Sequence, residues 1–253
     1  MIDYHLHVVA HDDRPMTVEN ILSYCGVAKS RGIRQMGITE HDRYLDKIDV
    51  AAFQEAREAS DEVALRLGIE IDFVPGQEER MEADATALPY DYVIGSVHRV
   101  DGDEVDRATD QSVYERYDTY ELYAAYYRNV REAALSGRFE VIGHPDLIKI
   151  FRRYPDKDIT PLLEETADAF AESGVVVDVN AAGLRKPVGE IYPSQKFLEM
   201  FHRRDVPIIL SSDAHAPDEV AAGYDKSLKL VHDVGYREVA TFKDRERGTL
   251  SLV

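Results

Sequence analysis

Near its start the chain reads Ile2-Asp3-Tyr4-His5-Leu6-His7. Side chains two residues apart on a β-strand share a face, so a strand over residues 2–7 projects His5 and His7 together, with Asp3 beside them. Two imidazoles at one rigid strand end make half of a metal site. The pair alone decides little, because His-x-His recurs by chance. Its weight comes from the rest of the chain, where histidines and carboxylates recur at the ends of successive expected strands.

Beyond residue 7 helix and strand alternate. Thr17 to Lys29 reads as a helix with Thr17 as N-cap and Gly32 past its end. Strand 33–39 is followed by Glu40-His41-Asp42, and a helix runs from the cap Asp49 to Leu65. The third strand lies within 64–74 and carries Glu70. A short acidic helix over 77–87 precedes a fourth strand, 90–96, that ends at Val97-His98. Residues 100–112 read as an acidic surface loop and 114–136 as one long helix. Tyr114, Tyr117, Tyr120, Tyr123 and Tyr126 recur along that helix. Packing against a sheet explains them better than a stacking platform for bases, especially in so acidic a chain.

Strand 139–143 runs into His144-Pro145-Asp146. A helix over 160–173 takes Thr160 as its cap and Pro161 at its first position. Strand 175–179, β-branched apart from Asp178, leads to Asn180. A helix over 193–203 and a strand over 206–210 lead to Ser211-Ser212-Asp213-Ala214-His215. The stretch 217–234 is largely helical, and 238–242 is a last short strand. Seven or eight strand–helix units without a linker or repeat predict an α/β chain, its parallel sheet closed into a barrel, as one domain over residues 1–253. An open doubly wound sheet is the second choice. The first turn lacks Gly-x-Gly-x-x-Gly, which counts against a dinucleotide fold.

Composition narrows the function. The chain has 253 residues, enough for one large barrel domain. Lys and Arg total 30 against 48 Asp and Glu, a formal charge of −18. That field repels nucleic acid in the absence of a local basic cluster, so no nucleic-acid partner is expected. No apolar run approaches the roughly 20 residues that span a bilayer, so no membrane partner is expected. No signal-peptide pattern is visible, and the expected location is cytoplasmic. The single cysteine, Cys25, rules out an internal disulfide framework.

In an α/β barrel, residues just past the C-terminal strand ends meet on one face. Those positions hold His5, His7, His41, Glu70, His98, His144, Asp213 and His215. Each has a plain structural alternative: His41 as a helix cap, His98 as a satisfied core histidine, Asp213 with His215 as a cap. Glu70, within an apolar strand, is costly to bury without a cationic partner. His202 and His232 fall in expected helices and are set aside as surface or packing residues.

These segments resemble a known family. His5-Leu6-His7, Thr39-Glu40-His41, Gly68-Ile69-Glu70-Ile71-Asp72, Ile94-Gly95-Ser96-Val97-His98, Gly143-His144-Pro145-Asp146 and Ser212-Asp213-Ala214-His215 look like the successive motifs of the polymerase-and-histidinol-phosphatase (PHP) superfamily. Tyr90 to His98 and Asn180 to Pro187 resemble its histidinol-phosphate phosphatase branch. The resemblance implies a distorted (β/α)7 barrel and two or three divalent metals, zinc, iron or manganese. By position it implies a first metal on His5, His7 and Asp213. Glu70 bridges to a second on His98 and His144. A third takes His41, His215 and one ligand from the loop after His7. There the sequence departs from the pattern, and both His11 and Asp13 remain candidates, with His11 favoured slightly.

What the resemblance implies is hydrolysis of a small phosphomonoester, L-histidinol phosphate in histidine biosynthesis, by a hydroxide held between the first two metals. Glu70, Asp213 and His215 are then catalytic. Arg185 is the expected phosphate clamp, because its planar fork matches two oxygens. Arg152 and Arg153 are weaker candidates for a second contact. Two other readings stand beside this one: a phosphodiesterase or exonuclease acting on small nucleotides, and a non-catalytic metal-binding regulator. Oligomeric state is not legible.

Overall fold

The computed structural model describes residues 1–252. Its sheet has seven parallel strands: β1 (Ile2–Asp3), β2 (Gln35–His41), β3 (Ala64–Asp72), β4 (Tyr92–Ser96), β5 (Val141–Ile142), β6 (Val176–Asn180) and β7 (Ile208–Ser211). They lie in sequence order, each beside the next. The last meets the first. Tyr4 N donates to Leu210 O at 3.1 Å, Asp213 N to His5 O at 2.8 Å, and His7 N to Ala214 O at 2.8 Å. These bonds close the sheet into the expected barrel and leave neither end strand as an open edge. They also place His5, His7 and Asp213 on one seam.

Parallel strands covered by helices are buried on both faces and read as continuous apolar runs. In β6, Val176-Val177-Asp178-Val179-Asn180 is buried throughout. The expected strand over 2–7 contracts to Ile2–Asp3 plus an isolated bridge at Leu6, because past Asp3 the chain is held by the seam bonds. The second strand shifts toward its C-terminus, so that Glu40 and His41 lie within the ladder.

The helices pack outside. Helix Val18–Ser30 starts where the Thr17 side chain accepts from Asn20 N, and helix Val50–Ala59 where Asp49 accepts from Ala52 N. The second of these ends six residues short of Leu65, because Ala64 already pairs with Gln35 of β2. The long tyrosine helix is two: Val113–Arg116 and Thr119–Leu135. Asp118 breaks it by capping Tyr120 N and Glu121 N. Tyr114, Tyr123 and Tyr126 are buried in the core, as packing predicts. At helix Thr160–Ser173 the cap is supplied by Asp158, whose carboxylate accepts from Thr160 N, in place of Thr160 itself.

Two other expectations change. The loop over 100–112 contains a small hairpin, Arg99–Val100 with Asp103–Glu104. The last short strand, Glu238–Lys243, pairs antiparallel with Glu246–Ser251 outside the barrel, so the sheet closes on seven strands. Among the described residues no helix is long and apolar enough to cross a membrane.

Candidate metal centre

Glu70 sits at the centre of the barrel mouth. In the ladder it lies between His41 of β2 and Ile94 of β4, and only 1% of it is exposed. Five imidazoles converge on its carboxylate. Oε2 is 2.7 Å from His41 Nδ1, 3.4 Å from His5 Nε2 and 3.6 Å from His7 Nε2. Oε1 is 3.2 Å from His144 Nε2 and 3.6 Å from His98 Nε2. Asp213 joins from the seam, its Oδ1 3.4 Å from His7 Nε2 and 3.5 Å from His215 Nδ1. His144 and Asp213 both take positive φ, 23° and 50°, a cost that clusters at functional sites.

Three groups offer ligand atoms within 4.8 Å of one another: His5, His7 and Asp213; His5, Glu70 and His144; and His7, His41 and His215. The first is the set read from the sequence. The third brings His7 next to the pair His41 and His215. His98 reaches the centre through Glu70. For the open position after His7, the two candidates separate. The His11 ring lies 4.7 Å from that of His215 and 5.9 Å from that of His41, and His11 lines the cavity above the cluster. Asp13 does not line it.

A further ring of carboxylates orients the histidines. Asp178 Oδ2 accepts from His5 Nδ1 at 2.9 Å, and Asp72 Oδ1 from His98 Nδ1 at 2.6 Å. A carboxylate on one nitrogen fixes the proton there and turns the other nitrogen's lone pair to the centre. Asn180 Nδ2 donates to both Asp178 and Asp213. Glu40 accepts from Val8 N and Val9 N and faces His7 Nδ1 at 3.9 Å. Sequence reasoning passed over Asp178, Asp72, Glu40 and Asn180 as site residues. The available signal was a lone carboxylate in a β-branched strand, which in a buried position demands a partner.

The charges follow from this packing. Burial alone would raise the Glu70 carboxyl, but His5 and His41 hold it well below the usual range. Asp213 is likewise held low against burial, chiefly by His5. Burial, reinforced by His41 and His215, drives His7 far down. For His98, burial opposes protonation, yet Asp72 and Glu70 push it up to about 10. Burial lifts Glu40 to about 7.

These residues fit divalent cations. His5 Nε2, both ring nitrogens of His7 and Nε2 of His41 are buried without a hydrogen-bond partner. Buried polar atoms are rarely left so. Imidazole nitrogen and carboxylate oxygen together suit zinc, iron or manganese.

The three arginines expected on phosphate lie elsewhere. Arg185 Nη2 donates to Ser212 O at 2.9 Å and Asp213 O at 3.1 Å, and its Nε faces Glu219 at 3.3 Å. Its fork grips the backbone of the Asp213 loop. Arg152 donates to Val188 O, and Arg153 is exposed. None of the three lines the cavity, of about 800 Å³, that opens above Glu70. Its cations are Arg43, Arg99, Arg107 and Lys186, supplied by the connections after β2, β4 and β6, whose approach to the mouth depends on the fold.

Residues 3–182 match the PHP domain. The chain belongs to the PHP domain family. Among PHP relatives, a probable histidinol-phosphatase of Deinococcus radiodurans is 40% identical over 182 residues, 72% of this chain and 69% of its own. A histidinol-phosphatase of Bacillus subtilis is 27% identical, over 68% of this chain and 71% of its own. The PHP barrel is also that of the crystal structure of histidinol phosphate phosphatase from Lactococcus lactis, complexed with zinc, L-histidinol and phosphate. The TM-score is 0.80 at 20% identity, over 98% of both chains. That likeness carries the fold, a distorted (β/α)7 PHP barrel.

Proposed function

We propose that residues 1–253 form one metal-dependent phosphoesterase domain that hydrolyses L-histidinol phosphate to L-histidinol and phosphate. The observation that carries this is the convergence of five imidazoles on the buried Glu70 carboxylate, with ligand atoms left unpartnered. The names of the Deinococcus radiodurans and Bacillus subtilis relatives support the substrate, as does the histidinol and phosphate bound by the Lactococcus lactis protein.

On this reading His5, His7 and Asp213 would hold one cation, and Glu70, His98 and His144 would hold a second. His41, His215 and His11 offer a third position. Divalent cations acidify water and offset the charge of phosphate oxygens when bound in such a cluster. The rest falls to the chain. Asp178 and Asp72 fix the orientation of His5 and His98. Arg43 and Lys186 present positive charge to the phosphate from the cavity wall. His215, part-exposed, donates from Nδ1 to Asp213 O at 3.1 Å, which leaves its Nε2 lone pair for a cation. Asp106 lines the cavity and forms no ion pair among the described residues, which suits the substrate's ammonium group.

The test is a turnover screen of protein loaded in turn with zinc, iron or manganese, over phosphorylated metabolites including L-histidinol phosphate. Preferred hydrolysis of L-histidinol phosphate, abolished by chelation, is expected. Cleavage of nucleotides in preference to it would replace this reading with the phosphodiesterase one.

A further inference from the structure

Beside the cluster lies a charged pair that the chemistry above does not use. Lys149 is 5% exposed. Its ammonium lies 3.0 Å from Asp146 Oδ2, 3.0 Å from Ile191 O and 3.2 Å from Glu190 Oε2, and 5.4 Å from the centre of the Tyr192 ring. The same Asp146 oxygen accepts from Ser194 N at 2.8 Å. Asp146 belongs to the loop that carries His144, and Glu190 to Ser194 form a segment laid across it. The pair therefore ties the two together from below. From the other side Tyr192 exchanges backbone bonds with Asn180, 2.7 and 3.0 Å.

Between these ties Tyr192 is fixed. It is 1% exposed, it lines the catalytic cavity, and its ring lies 6.3 Å from that of His144. Leu147, Ile150 and Ala182 line the cavity with it, the apolar part of a mouth otherwise made of the clustered histidines and carboxylates, charged side chains and Thr109. Gly183 shows how tightly the ring is seated: a Cβ there would stand 2.0 Å from Glu190 O and 2.9 Å from the Tyr192 ring. Burying a lysine among apolar neighbours is costly, and an ion pair in a core seldom repays its desolvation in stability. A positional role accounts for its presence.

We propose that Lys149, paired with Asp146, is a positioning residue that holds Tyr192 as the apolar wall for the organic part of the substrate. It acts through Tyr192 without touching substrate. The inference rests on the phosphomonoesterase reading above and deepens it. Phosphate is held by the cations and basic side chains, and the carbon skeleton of the alcohol is held by Tyr192 with Leu147 and Ile150.

The test uses full-length, zinc-loaded protein. Lys149→Met and Tyr192→Ala are each expected to raise KM for L-histidinol phosphate by about tenfold, the loss of a modest contact. Bound zinc and the inhibition constant of inorganic phosphate should stay at parental values, because the phosphate subsite is intact. In the double variant the two effects should coincide instead of multiplying, since Lys149 works through Tyr192. Because Lys149→Met leaves Asp146 buried and unpaired, Asp146→Asn/Lys149→Met, which removes both charges, is measured beside it and should show the same rise. Multiplying effects, an equal loss of phosphate inhibition, loss of zinc, or unfolding of both the single and paired-charge variants would overturn the proposal. Unchanged KM in variants of an active parent sinks this inference alone, whereas a parent inactive on every phosphomonoester sinks the phosphatase reading with it.

Discussion

Asp178 and His5 form a fully buried pair, with Oδ2 accepting from Nδ1 at 2.9 Å. They come from β6 and the seam after β1, with β7 between them around the closed barrel, and are 173 residues apart in the chain. The pairing fixes the proton on Nδ1 and leaves Nε2 facing Glu70. Asp178→Asn can still accept at that distance but no longer supplies charge. Metal affinity should fall by about 10–100-fold, the usual cost of losing such a partner. Zinc titration of the apoprotein with a competing chelator measures it. Parental affinity in the variant would show that the barrel alone orients His5.

Glu70 is the hub, and its removal should be the most damaging single change. Glu70→Gln keeps the shape but loses the charge that faces five imidazoles. Bound metal and phosphatase activity should both nearly vanish. Thermal stability of the metal-free variant should change far less than activity, because without cations the carboxylate is itself a buried charge. Metal analysis and melting curves with and without chelator check this. A variant that retains full metal would place the bridge on another carboxylate.

Arg185 grips the carbonyls of Ser212 and Asp213. Arg185→Ala should therefore act by loosening the Asp213–His215 loop. The expected result is a loss of bound metal with a drop in kcat/KM of roughly 1.5–3 kcal/mol, the size of charged hydrogen bonds. Excess zinc in the assay should restore part of it. A rise in KM alone, at full metal content, would return Arg185 to the role of phosphate clamp.

Asp3 gives a pH signature. It is fully buried, and its carboxyl is pushed by burial up to about 6, against hydrogen bonds from Ser212 and Ala221. Between about pH 4 and 6 the folded state keeps a proton that the unfolded chain has lost. The stability tied to that proton is complete below the unfolded value and lost as pH rises through the folded one. Asp3→Asn has no such charge. In chelated protein, its melting temperature relative to the parent should climb across this window by on the order of 5 °C. Parallel curves would mean that Asp3 stays ionised in the fold.

The sequence alone determined the barrel and most of the inner cluster. Alternation of apolar strands with capped helices is local information, read from residues a few positions apart. The clustered residues were legible for the same reason: each histidine or carboxylate lies near or just past the C-terminal end of a strand, and a closed parallel barrel gathers strand ends at one mouth. Glu70 stood out because a carboxylate in an apolar strand needs a partner.

What only the tertiary structure decided were relations across the barrel. The seam that sets His5, His7 and Asp213 together depends on hydrogen bonds between the two ends of the chain. Asp178 looked like an anomaly in a β-branched strand until His5 was placed against it. Arg185 follows a strand, as a phosphate clamp would, but the direction of a long side chain is set by what it packs on, here the Asp213 loop. The cations that do line the cavity, Arg43, Arg99, Arg107 and Lys186, come from the connections that follow β2, β4 and β6. Loop paths are fixed by the packing of distant elements, and no local pattern in the chain encodes them.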